Sequence, residues 1–103
     1  MTQPEKIQYI LKGGCDFFGM TMDDLQKKTG SRSKIWDKKR FLIPVLNDNT
    51  VCNINDIANL LGYKSHASVL YHKNTINEEL SGEIYGSEKT KKVYNEFLQY
   101  LKL

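Results

Sequence analysis

Apolar residues recur along this chain at the three- and four-residue spacing of helix faces. In "PEKIQYILKGGCDFFG", Ile7, Ile10, Leu11 and Phe18 form a broad apolar face, and Pro4 suits the start of a helix, where its missing amide is not needed. Gly13 and Gly14 interrupt that face and raise the backbone entropy lost on folding, which predicts a break or close packing at the glycines rather than a smooth long helix. After Gly19, Thr21 with Asp24 three residues later predicts reciprocal capping of a short helix. Gly30 permits a turn into "SRSKIWDKKRFLIPVLND". There Ile35, Trp36, Leu42, Ile43 and Leu46 predict a third helix with a buried face, with Arg40 toward its exposed side. Pro44 lacks an amide donor and clashes with the preceding turn of a straight helix, so this element should bend there or end near Ile43.

The central stretch "CNINDIANLLGYKSHASVLYHKNTINEEL" is more informative. Asn53 and Asp56 form a capping pattern, Ile57, Leu60 and Leu61 an apolar face, and Gly62 a stop. Residues 65–80 then form a second helix that buries Val69, Ile76 and Leu80, with Ser65, Ser68 and His72 along a different, polar face. Two helices joined by a short glycine turn predict a helix-turn-helix core over residues 53–80. In the last segment Val93, Phe97, Leu98 and Leu101 keep helical spacing and predict a helix that covers the core. The expectation is one all-α domain over residues 1–103, consistent with a chain of 103 residues.

Charge sharpens this picture. The chain as a whole carries +3, with 26% charged and 40% hydrophobic residues, enough apolar material for a modest core. The charge is unevenly placed: residues 27–40, "KKTGSRSKIWDKKR", hold seven Lys or Arg against one Asp. Such a run attracts a phosphate backbone, although Lys-rich runs also serve as solvated helix faces. Cys15 and Cys52 form no CxxC pair and cannot alone make a common structural zinc site, so two separately packed thiols in an intracellular protein are expected rather than a disulfide. No segment approaches the roughly 20 apolar residues of a membrane span, and the N-terminal residues lack a signal-peptide pattern, which makes the cytoplasm the expected location.

The stretch "IANLLGYKSHASVLYHKNTI" resembles the C-terminal DNA-binding domain of the bacterial replication initiator DnaA, in its helix, glycine turn and His-containing recognition helix. The order of elements extends the resemblance through "IQYILKGGCDFFGMTMDDL", "SRSKIWDKKRFLIPVL" and, weakly, the C-terminal helix. It implies double-stranded DNA as partner, replication-associated proteins as further partners, and a cytoplasmic, nucleoid-associated location. It also implies that Arg40 contacts phosphate or minor groove, that Arg32 and Lys34 belong to a basic loop, and that Ser65, His66, Ala67 and Ser68 enter the major groove. The chain has no GxxxxGK[ST] phosphate loop, so the family's nucleotide-binding motor is not represented. Ser65 stands where the family commonly has an acidic residue, Ala67 where it carries a hydroxyl or methyl combination, and Asn74 and Thr75 where a basic pair is common.

Side-chain chemistry adds detail. Lys64 can reach phosphate or a guanine edge, Ser68 and His66 a base edge, and Lys38, Lys39 and Lys73 fit diffuse phosphate attraction. Arg32 and Arg40 each offer a rigid donor fork. Trp36 reads as core more than as a stacking platform, while Tyr63 and Tyr71 remain open between DNA contact and support of the helix pair. No His/Cys/Asp arrangement specifies a nucleophile or a metal centre, so neither enzyme activity nor a cofactor is expected. The expected activity is sequence-biased binding of duplex DNA in replication initiation or its regulation. The competing reading is a helical protein-interaction adaptor with little DNA affinity, motivated by the departures at Ser65, Ala67, Asn74 and Thr75.

Overall fold

The computed structural model describes residues 2–26, 38–82 and 88–102. Among them are six helices and no strand: α1 (Gln3–Phe18), α2 (Met22–Gln26), α3 (Leu42–Asn49), α4 (Ile54–Leu60), α5 (His66–Ser81) and α6 (Glu88–Leu101). The radius of gyration, 12.7 Å, is that of a closed globule, about 13 Å for 100 residues.

Local sequence sets the helix ends. At the start of α1 the Thr2 hydroxyl accepts the Glu5 amide at 3.3 Å, and Pro4 occupies the first turn. Gly19, at φ +69°, closes the helix in the left-handed conformation. The helix runs unbroken through Gly13 and Gly14, and the glycines are used for close packing. A Cβ on Gly14 would lie 2.5 Å from the Leu42 Cδ2 atom of α3, and Gly13 leaves room for Leu101 of α6. Thr21 and Asp24 cap α2 reciprocally, Asp24 N donating to Thr21 Oγ1 at 3.0 Å and Thr21 N to Asp24 Oδ2 at 3.2 Å.

The third element differs from its expected form. Residues 38 and 39 are helical, the chain turns at Arg40 and Phe41, and α3 starts afresh at Leu42. Pro44 is therefore the third residue of a new helix, in the first turn, where amides have no intrahelical acceptor. It neither bends nor ends the helix, and it is buried with Leu42, Ile43, Val45 and Leu46. Ile35 and Trp36, the other members of the expected face, lie outside the described residues.

The helix pair α4 and α5 follows the expected boundaries to within two residues at each end. Asn53 Oδ1 accepts the Asp56 amide at 2.9 Å and the Asp56 carboxylate accepts the Asn53 amide at 3.1 Å. Gly62, at φ +68°, reverses the chain, and Tyr63 N donates to Ala58 O at 2.9 Å, the long return bond of a Schellman ending. α5 buries Val69 and Ile76 and half-buries Leu80. It packs on α3, α4 and α6, while α1 packs on α3 and α6.

The core runs between these helices. Phe97 and Leu101 of α6 are buried, Val93 and Leu98 pack against them, and Phe18 stacks on Phe41 with ring centroids 5.4 Å apart. Cys15 and Cys52 are both free and buried. Burial raises the Cys15 thiol pKa, and Asp16 and Asp24 push it the same way. No helix among the described residues is long and apolar enough to cross a membrane.

Candidate nucleic-acid interface

The turn between α4 and α5 is held from beneath by a lysine. Lys39 is fully buried, and its Nζ donates to the Leu61 carbonyl at 2.8 Å. Leu61 is the C-cap of α4, so its carbonyl is one of the acceptors that a helix leaves open at its end. An ammonium there satisfies the acceptor and complements the negative end of the helix dipole. The same Nζ lies 5.9 Å from the centroid of the Tyr63 ring. Desolvation lowers the Lys39 pKa, with Asp24 opposing the shift. The expectation of a phosphate-facing Lys39 is corrected on this point: its charge points inward and supports the turn.

Arg40 is also drawn into the fold. Its guanidinium donates to the Glu79 carboxylate in the last turn of α5, with side-chain exposures of 16% and 20%. The guanidinium lies over the Phe41 ring, 5.3 Å from its centroid. Arg40 thus ties the entrance of α3 to the C-terminal end of α5 instead of facing open solvent. Lys38, one residue before the buried lysine, is partly exposed. Arg32 and Lys34 lie outside the described residues.

His72 departs from expectation as well. It stands three residues from Val69 and four from Ile76, at the margin of the buried arc, and its ring stacks on Tyr63 at 5.8 Å. Tyr63 is buried, and burial raises its phenol pKa while Arg40 acts against that rise. Lys39, Tyr63 and His72 therefore form a platform between the turn and the inner side of α5.

Above that platform the start of α5 stands clear of the core. Lys64, Ser65, His66 and Ala67 are exposed, and Ser68 and Lys73 are partly exposed. Ser65 is the N-cap, in extended conformation, but its hydroxyl makes no capping hydrogen bond. It lies 3.5 Å from the Ser68 hydroxyl instead. The structure thus brings Lys64, Ser65, His66, Ala67 and Ser68 together on one end of α5.

Leu70 and Tyr71 were not picked out as face-defining residues by periodicity, and they are 42% and 67% exposed. The available signal was angular: Leu70 lies about 100° round the helix from Val69. With Val69 and Ile76 fixing the buried side, residues 67, 70 and 74 fall on the outer arc. Asn74 is exposed there too.

Two surface hollows lie elsewhere. One, of about 380 Å³, opens between Tyr9 of α1 and Tyr100 of α6, and the other, of about 310 Å³, beside Val51, Cys52 and Leu60. Among the described residues no group of three His, Cys, Asp or Glu side chains is placed to hold a metal ion. Compared with protein-family models, curated proteins and solved structures, the chain finds no match in any of the three.

Proposed function

We propose that the protein binds duplex DNA, with α4 and α5 acting as a helix-turn-helix and the first turns of α5 entering the major groove. The observation that carries this reading is the exposed, uncapped start of α5, where Lys64, Ser65 and His66 stand clear of the core. Amides in the first turn of a helix attract phosphate, and a neighbouring ammonium strengthens that attraction. The opposite end of α5 carries Glu78 and Glu79 and is anchored through Arg40, and in this reading that acidic end lies away from DNA. The seven basic residues within 27–40 add to the attraction, less the two charges that Lys39 and Arg40 spend inside the fold.

The resemblance to the initiator's C-terminal domain supports a replication-associated role at the nucleoid as the setting for this binding. Affinity for duplex DNA measured over a salt series tests the reading. It should weaken steeply as salt rises, and Lys64→Ala should reduce the slope of log affinity against log salt by about 0.9, the share of one phosphate contact. Negligible affinity at low salt would overturn it. The adaptor reading is favoured by one observation, the exposed Leu70 and Tyr71 side chains, and a tight, salt-insensitive protein partner would select it.

A further inference from the structure

Resting on that DNA-binding reading, we propose that the outer strip of α5 formed by Ala67, Leu70, Tyr71 and Asn74 reads A·T pairs, with its apolar members on thymine methyl groups and Asn74 on an adenine edge. All four side chains are exposed on the N-terminal two-thirds of α5. Their spacing is 67, 70, 71 and 74, the three- and four-residue steps that keep side chains on one side of a helix. Val69 and Ile76 are buried on the far side, and Ser68 lies toward the flank, partly covered. The residues most directly presented outward are thus an alanine, a leucine, a tyrosine and an asparagine.

The chemistry of that set matches one base pair better than the other. In the major groove thymine presents a C5 methyl, the one apolar group among the four base edges, and Ala and Leu side chains complement it. Adenine presents an acceptor and a donor, N7 and N6, which an asparagine amide pairs in bidentate fashion. Guanine is read chiefly by Arg or Lys, and the strip contains neither.

The charge at the start of α5 favours a nucleic acid duplex as the occupant over an apolar protein groove. Lys64 stands exposed just before the strip, while Lys73 lies toward the inner side of α5, and the carboxylates Glu78, one turn beyond Asn74, and Glu79 sit in the last turns. Phosphates can approach the N-terminal end of the strip without meeting an acidic side chain of α5.

The test starts from a duplex selected by the intact protein out of random sequence. Replacing each of its thymines in turn by deoxyuridine removes the methyl and keeps the pairing. At one or two positions the substitution should weaken binding about fourfold, the worth of one buried methyl group. The Leu70→Ala protein should be indifferent to uridine at the position where the parent is sensitive. Replacing an adenine by 7-deazaadenine should weaken the parent and leave Asn74→Ala unchanged. Leu70 and Asn74 are exposed, so neither variant removes core packing.

A selected site that binds in a salt-dependent manner but is insensitive to every uridine and deazaadenine overturns this inference while leaving DNA binding intact. So does a uridine effect of equal size in the parent and in Leu70→Ala. If no duplex binds at low salt, the DNA-binding reading falls, and the inference with it.

Discussion

Lys39 and Lys64 carry the same ammonium and meet the same turn, one from inside the fold and one from outside. Lys39 is fully buried and bonded to the Leu61 carbonyl, whereas Lys64, three residues after Leu61, is exposed. The first satisfies the open end of α4 and so fixes where α5 begins. The second stands on the rim that this fixing creates. The contrast teaches that the neighbours a lysine meets, and not its charge, decide whether its ammonium supports the fold or faces solvent.

Removing each lysine separates the two roles. Lys39→Ala should lower the folding free energy by about 3 kcal/mol, because it opens a cavity and leaves a buried carbonyl without its donor. Lys64→Ala should change it by no more than about 0.5 kcal/mol, as is usual at an exposed position. Urea denaturation of the two variants measures both effects, and comparable losses would erase the distinction.

The next largest effect concerns the other inward-drawn cation. Glu79→Gln leaves the partly buried Arg40 without its carboxylate and should cost about 1.5 kcal/mol. The loss should vanish when measured in an Arg40→Ala background, as a double-mutant cycle requires of a direct pair. An undiminished loss would show that Glu79 acts through another contact.

The smallest effect is one of pH. Burial lowers the Lys39 pKa below its ordinary 10.5, so the unfolded chain holds that proton more tightly than the folded one. Stability contributed by this group is therefore depressed below the folded pKa and rises as pH climbs from there toward 10.5. The raised Tyr63 pKa works the opposite way above its ordinary 10.0, but it is shared by the parent and a Lys39→Met variant. The parent should accordingly gain stability relative to Lys39→Met between pH 7 and pH 10. A relative loss over that interval would contradict an inward-facing, desolvated ammonium.

Short-range patterns were the legible part of this fold. The caps at Thr21 and Asp24, and at Asn53 and Asp56, depend on residues three apart, and the Gly62 turn on one residue's freedom at positive φ. The buried faces of α5 and α6 followed from helical spacing for the same reason. Lys39 was not legible, since its burial depends on the Leu61 carbonyl 22 residues away, and within "WDKKRF" it looks like any solvated lysine. Arg40 was misread for the same cause, its partner Glu79 lying 39 residues on. Pro44 misled because the position of a helix start decides whether its missing amide matters, and that start moved to Leu42. On the candidate site, the cluster from Lys64 to Ser68 was visible as a helix start, whereas the exposed Leu70 falls outside the face that Val69, Ile76 and Leu80 define and carries no sequence signal of its own.

The division between an inner and an outer face of the turn can be observed in one titration. Amide resonances of the intact protein, followed as duplex DNA is added at low salt, should shift most from Lys64 through Leu70 and at Asn74, with little change at Tyr9, Tyr100 and Val51 beside the two hollows. Shifts concentrated around those hollows, or none at all, would contradict the account.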